Sequence, residues 1–176
     1  MDELIKQLLE IQSQVPNDKL PGAKTGYFGA GWFSDVQIKT LVTGYRALLN
    51  NPTVAYVHLP LLNQSEGNVY DENGDFNPDF KWGVNTYNAD ETAIRNSDFT
   101  LGVLEAGNED SGTAYELGYA KATGKPTVTY YVGDWNANPI NLMTAIGPDS
   151  YVNSLDELQT FDFRSIETRD YKGKIV

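Results

Sequence analysis

Short apolar runs alternate along this chain with longer segments whose apolar residues recur at helical spacing. Such a repeat of strand, helix and strand builds a parallel sheet that is covered by helices on both faces. The sequence therefore predicts one α/β domain, with a binding site where loops meet beyond the carboxyl ends of the strands. The runs that indicate buried strands are residues 25–28, 54–59, 99–104 and 127–132.

The predicted helices begin and end at residues that cap or interrupt helices. Ser34 and Asp35 can cap a helix that stops before Pro52. Further helices are predicted at residues 84–95, from Asp110 to Gly124, from Ile140, and behind a capping box formed by Ser154 and Glu157.

Residues 1–23 precede this alternation and are interpreted as a helical extension of a domain at residues 24–176. Leu4, Leu8 and Ile11 indicate an amphipathic helix, and the sequence leaves open whether it docks on the body or on a neighbouring subunit. Its charges are unlike those of a signal peptide, and no stretch approaches the roughly 20 apolar residues that span a bilayer. We therefore expect a soluble, cytoplasmic protein without membrane contacts.

Composition narrows the possible partners. The chain has 176 residues, 13 basic against 24 acidic side chains, a net charge of -11 and no cysteine. Binding to nucleic acid or to an anionic membrane needs clustered Lys and Arg, so these partners are excluded and small substrates are favoured. The absence of cysteine removes disulfides, thiol nucleophiles and cysteine-based zinc sites.

Glu116 lies inside an otherwise small and apolar helical pattern. On a helix that begins near Asp110, Gly112, Glu116 and Ala120 share one face, which leaves room for a ligand beside the carboxylate. A carboxylate that faces a cavity can act as a nucleophile. The alternative, a solvated or ion-paired glutamate, is disfavoured by the apolar residues around it.

Two further carboxylates are expected near the same edge of the sheet. Asp90 and Asp110 would share a pocket with Glu116, and neighbouring carboxylates push their pKa values apart, so that one stays protonated while another is ionised. This arrangement is typical of glycosidic bond cleavage. Taken alone, Asp90 is better explained by an exposed helix face.

The first strand leads into a loop of glycines and aromatic residues. Gly29 and Gly31 lack the spacing of a dinucleotide-binding loop, and no P-loop lysine follows. Trp32 and Phe33 suit stacking on a flat heterocycle, although a place in the core is equally compatible with the pattern. Tyr27 could orient a carboxylate at the rim, while the pattern alone favours ordinary packing.

Nothing in the sequence requires a metal or a cofactor. His58 is the only histidine and is interpreted as structural. Residues 71–75 faintly resemble a calcium loop but lack the closing glutamate of an EF-hand. The polar segment at residues 61–80 has no periodicity, and loops of this length are commonly lids or disordered.

Five blocks of the sequence, taken in order, resemble the nucleoside 2-deoxyribosyltransferases. They are residues 27–33, 61–64, 86–90, 110–120 and 139–143. Each block is weak alone, but their order and spacing match the family over residues 24–176. The resemblance implies a flavodoxin-like, Rossmann-like fold. It also implies transfer of the 2-deoxyribosyl group between purine and pyrimidine bases, by a ping-pong mechanism in nucleoside salvage and without a cofactor.

The resemblance also implies roles for single residues. Glu116 matches the nucleophile that forms a covalent ester with C1′ of the sugar. Asp90 and Asp110 match acids that protonate the departing base and help to deprotonate the incoming one, and Tyr27 matches the phenol that orients the nucleophile. The residues implied in substrate binding are Gly29, Trp32, Phe33, Gln64, Asn141 and Met143.

The resemblance further implies hexamers with sites completed across subunits. Asn141 and Met143 would then reach a neighbouring subunit's substrate, and Gln64 would contact the base. The first loop is similar to that of the branch that accepts both purines and pyrimidines. Unlike that branch, which commonly ends in a tyrosine, this sequence ends in Val176, and it adds residues 1–23.

Two other functions stay open. A hydrolase on the same fold would cleave 2′-deoxynucleoside 5′-monophosphates with water, but the five blocks contain no basic residue for a phosphate. A non-catalytic module that senses nucleotides would not need its carboxylates.

Overall fold

Parallel strands and α-helices alternate along the computed structural model, which describes residues 2–65, 69, 71–73 and 75–176. The strands are β1 (Lys24–Gly29), β2 (Val54–His58), β3 (Phe99–Glu105), β4 (Thr127–Val132) and β5 (Ser150–Val152). The helices are α1 (Asp2–Ser13), α2 (Asp35–Asn50), α3 (Phe80–Asn96), α4 (Ser111–Ala122), α5 (Leu142–Ile146) and α6 (Leu155–Thr160).

The five strands form one sheet in the order β2-β1-β3-β4-β5, and every neighbouring pair is parallel. This is the flavodoxin-like order, so the predicted α/β fold is confirmed. The order reverses between β1 and β3, and ligands bind beyond the carboxyl ends at such a switch point. Tyr27 and Gly29, at the carboxyl end of β1, lie beside this point.

Helices cover both faces of the sheet. Helices α1, α2 and α6 pack together on one face, and α3, α4 and α5 pack together on the other. Successive side chains of β1 point to opposite faces, so Phe28 joins the large core under α2 while Tyr27 packs with Ile94 and Ala120 under α3 and α4. Tyr27 therefore belongs to the face that carries the Glu116 helix.

The sequence placed four of the strands and missed β5, which has only three residues. Helix α3 begins at Phe80, earlier than predicted, because the side chain of Asp79 accepts a hydrogen bond from the N–H of Trp82 at 2.6 Å. The predicted lid at residues 61–80 begins with a 3-10 turn at Pro60–Leu62. Parts of that lid and of the calcium-like run, namely residues 66–68, 70 and 74, lie outside the described residues.

Helix α1 docks on the body of its own chain. Leu4, Leu8 and Ile11 are buried in the same core as Leu59 and Leu61. The sequence left open whether this helix docks on the body or on a neighbouring subunit, and in the structure its described residues pack on the body. Across the described residues, every helix is too short or too polar to cross a bilayer.

Candidate active site

A cavity of about 330 Å³ opens at the carboxyl edge of the sheet, beside the switch point. It is lined by Ala30, Trp32, Phe33, Pro60, Asp90, Asp110, Ser111, Gly112, Thr113 and Glu116. The fold thus brings three carboxylates and two aromatic rings from distant parts of the chain around one space. Larger grooves exist, such as one of about 610 Å³ beside α2, but its lining mixes its carboxylates with Lys39 and Arg46.

Glu116 is held by the phenol of Tyr27. The Tyr27 hydroxyl donates a hydrogen bond to Glu116 Oε1 at 2.6 Å, and the tyrosine itself is fully buried. Gly29 makes room for the other carboxylate oxygen, since a Cβ at this position would overlap Glu116 Oε2. The end of β1 therefore fixes both oxygens of the carboxylate.

Burial makes the carboxyl groups of this cavity difficult to ionise. Burial raises the pKa of Glu116 to about 8. The charges of Asp90 and Asp110 add to this rise, and the hydrogen bond from Tyr27 opposes it. Burial also raises the pKa of Asp90 to about 6. Between about pH 6 and 8, Glu116 and Asp90 therefore hold one proton between them.

Asp110 is both a wall of the cavity and the cap of α4. Its Oδ2 accepts hydrogen bonds from Thr113 N at 2.7 Å and from Thr113 Oγ1 at 2.9 Å. The first bond gives a partner to a backbone N–H that the first turn of a helix would leave without one, and together the two bonds fix the carboxylate beside Glu116.

Aromatic rings form the outer side of the cavity. Trp32 is half-buried against the core and also lines the cavity, while its stacking on a heterocycle stays a prediction. Phe33 is 65% exposed, and its ring centroid lies 5.5 Å from that of Trp32. Phe76, from the long loop, contacts Phe33 and Trp82 at centroid distances of 6.4 and 5.8 Å. The loop is thereby joined to the rim.

Four predicted binding residues do not line this cavity within one chain: Gly29, which packs against Glu116, and Gln64, Asn141 and Met143. Gln64 is half-buried just beyond the 3-10 turn. Asn141 caps α5 by accepting a hydrogen bond from Met143 N at 2.9 Å, and Met143 is 77% exposed. Their roles in substrate binding stay predictions.

Sequence reasoning missed some of the lining, notably Thr113 and Pro60. Thr113 could have been found from its place three residues after the helix cap at Asp110, where its N–H must be satisfied. Pro60 carried no comparable signal. Among the described residues, no cluster of three or more acidic or histidine side chains could hold a metal ion.

The fold and the site define a flavodoxin-like protein with a carboxylate-lined pocket for a small molecule, and comparisons with known proteins agree. The family model for nucleoside 2-deoxyribosyltransferase matches residues 27–143. A nucleoside deoxyribosyltransferase of Lactobacillus leichmannii is 37% identical over 154 residues, covering 86% of this chain and 98% of that protein. Another, from Lactobacillus johnsonii, is 35% identical over 148 residues, covering 83% of this chain and 99% of that protein.

A solved structure supports the fold. The 2-deoxyribosyltransferase from Bacillus psychrosaccharolyticus superposes with a TM-score of 0.65 at 24% identity, covering 82% of this chain and 98% of that chain. The chain belongs to the nucleoside 2-deoxyribosyltransferase family, and it is therefore an enzyme of the pentosyltransferase class. The family predicted from the five blocks is confirmed.

Proposed function

We propose that this enzyme moves the 2-deoxyribosyl group between purine and pyrimidine bases through a covalent deoxyribosyl-Glu116 intermediate. The observation that carries the proposal is the 2.6 Å hydrogen bond from Tyr27 to Glu116, in a cavity that Asp90 also lines. One carboxyl can then act as nucleophile while the other supplies a proton.

The first half of the reaction breaks the glycosidic bond. Glu116 attacks C1′ of a 2′-deoxynucleoside, and Asp90 gives its proton to the departing base. The resting proton favours Glu116, whose pKa is the higher of the two, so the reactive form requires the proton on Asp90. Tyr27 lowers the cost of that rearrangement because its hydrogen bond stabilises the ionised nucleophile.

The second half transfers the sugar to another base. The incoming base attacks C1′ and gives up a proton to Asp90 or Asp110, and Glu116 leaves as a carboxylate. Transfer exceeds hydrolysis only where water is kept from the ester, and the rings of Trp32 and Phe33 supply an apolar cover. Their flat faces also suit stacking on purines and pyrimidines.

We propose a hexamer in which neighbouring subunits complete each site. Asn141 and Met143 would reach the neighbour's sugar, which accords with their position outside the cavity of their own chain. Several large apolar side chains on α3, α4 and α5 are exposed and available for such contacts. They are Phe80, Val84, Tyr87, Tyr115, Leu142, Met143 and Ile146.

The alternative, a hydrolase that cleaves the glycosidic bond of 2′-deoxynucleoside 5′-monophosphates, is disfavoured by the lining of the cavity. Its described lining contains no lysine or arginine. The N-terminus of α4 reaches the cavity at Ser111 and Gly112, but the carboxylate of Asp110 already caps it, so a phosphate there would meet a like charge.

Incubation with deoxyinosine followed by mass spectrometry tests the covalent step. We expect the mass of one deoxyribosyl group on the peptide that contains Glu116, and its loss when free adenine is added, with deoxyadenosine as product. Release of free deoxyribose despite excess adenine would indicate a hydrolase. Binding without an adduct and without turnover would indicate a sensor.

A further inference from the structure

The imidazole of His58 packs against the ring of Tyr27, although the proposed reaction does not use it. The two residues are paired neighbours in the register of β1 and β2. Their ring centroids are 5.6 Å apart and the ring planes differ by 12°, which is a stacked arrangement. One face of the catalytic phenol is therefore covered by the only histidine of the chain.

An open groove of about 640 Å³ lies on the other side of His58, between β2 and α3. His58 and Tyr56 line this groove, whereas Tyr27 is fully buried and does not. Ile94 and Ala120 pack against Tyr27 in the interior. The imidazole thus separates the phenol from the groove, and without it the ring would have free space on that side.

Hydrogen bonding by Nε2 does not explain the presence of His58. Nε2 is buried and has no hydrogen-bond partner among the described residues. Burial lowers the pKa of His58, so the ring is neutral at neutral pH. A buried nitrogen without a partner is unfavourable, and an apolar side chain would serve stability better. What the imidazole supplies to the site is its flat face.

We propose, building on the function proposed above, that His58 is a positioning residue that holds the Tyr27 ring where its hydroxyl donates to Glu116. The strand fixes the backbone of Tyr27, but the 2.6 Å hydrogen bond also depends on its side-chain torsions. Stacking restricts those torsions. His58 therefore affects deoxyribosyl transfer only through the position of the Tyr27 hydroxyl.

A double-mutant cycle tests this role. We expect His58→Ala to lower kcat about tenfold, as loss of a well-placed hydrogen bond does, and to move the alkaline limb of the pH profile upward. In a Tyr27→Phe background the same substitution should change neither quantity, because the hydroxyl is already absent. His58→Phe, which keeps a flat ring, should restore both.

Tyr56→Ala serves as the matched control, because Tyr56 lines the same groove from the same strand and is expected to leave both quantities unchanged. If His58→Ala does not fold, His58→Leu fills the space without a flat face. Additive losses in the cycle, a normal pH profile in His58→Ala, or failure of His58→Phe to restore activity would overturn the positioning role. A wild-type enzyme without a deoxyribosyl adduct would instead contradict the proposed function.

Discussion

Aspartate or glutamate side chains lie at both ends of the parallel strands, and the two ends differ in how the charge of these side chains is met. At the amino edge, Asp98 and Asp149 each accept hydrogen bonds from the N–H and hydroxyl of a threonine, and Asp149 also pairs with Lys121. At the carboxyl edge, Asp90 and Glu116 face a cavity whose described lining has no cation.

The pKa values follow this difference. Hydrogen bonds from Thr25 lower the pKa of Asp98. For Asp149, burial acts to raise the pKa, but Lys121 and Thr127 together lower it. Burial raises the pKa of Asp90 and of Glu116. Asp98 is exposed and Asp149 is half-buried, and hydrogen-bond donors meet both carboxylates, whereas the cavity pair loses solvent without gaining a cation. Carboxyl groups with pKa values raised in this way are candidates for a functional role.

The largest difference in base-exchange activity is expected between variants of Glu116 and a variant of Asp149. Glu116→Ala and Glu116→Gln should lower base exchange by about 10⁴-fold or more, because no other group can form the ester. Asp149→Asn should keep wild-type kcat. The measurement is chromatography of new nucleosides from a deoxyinosine donor and adenine. Retained exchange in a folded Glu116→Gln enzyme would refute the nucleophile.

Asp90→Asn is expected to cost about 10²–10³-fold in kcat, the usual contribution of a general acid. The loss should be smaller for donors whose base is a better leaving group, such as a 5-fluorouracil nucleoside. Glu91→Gln is the control, because Glu91 neighbours Asp90 on α3 but bonds to Tyr87 and Tyr115 and does not line the cavity. An equal loss for every donor base would argue against proton transfer by Asp90.

Tyr27→Phe should lower kcat about 10- to 100-fold, the range for a hydrogen bond to a charged group. Without the hydroxyl, the proton shared by the two carboxyls stays on Glu116 more often, so the plateau of activity falls. The alkaline limb should also move upward, since the last proton is held more tightly. A kcat within twofold of wild type, measured at several pH values, would contradict this role.

The pH dependence of kcat/KM should be bell-shaped. Below about pH 6 both Asp90 and Glu116 are protonated and the nucleophile is lost; above about pH 8 both are ionised and the acid is lost. Activity should therefore be highest between these values. A profile that keeps rising past pH 9 would show that the pair does not share one proton.

Stability should change in opposite directions at the two edges. A carboxyl group whose pKa is raised in the folded state costs stability as the pH rises, so Glu116→Gln should stabilise the fold by about 4 kcal/mol at pH 8 and little at pH 4. A carboxyl group whose pKa is lowered in the folded state stabilises the fold at neutral pH, and this stabilisation is lost in acid. Asp149→Asn should therefore destabilise the fold by about 1–2 kcal/mol at pH 7 and by less at pH 3. Urea unfolding at the stated pH values measures both. A loss of stability in Glu116→Gln would contradict the contrast.

The sequence predicted the helix around Glu116 well because caps and small residues are local signals. It could not choose between active and exposed positions for Asp90, since only the packing of α3 against α4 brings that carboxylate to the cavity. Strand β5 was missed because three residues carry too little periodicity. The docking of α1 depended on a surface assembled from distant segments.

The sequence by itself determined the parallel α/β architecture, the family, and the candidate nucleophile, since periodicity, capping and ordered motifs are properties of short segments. Only the tertiary structure decided that the Tyr27 hydroxyl meets Glu116, that His58 covers the phenol, and that the carboxylates of one edge lack cations. The reason is physical. Contact and desolvation depend on which surfaces the crossover connections bring together, and no single segment of the chain contains that information.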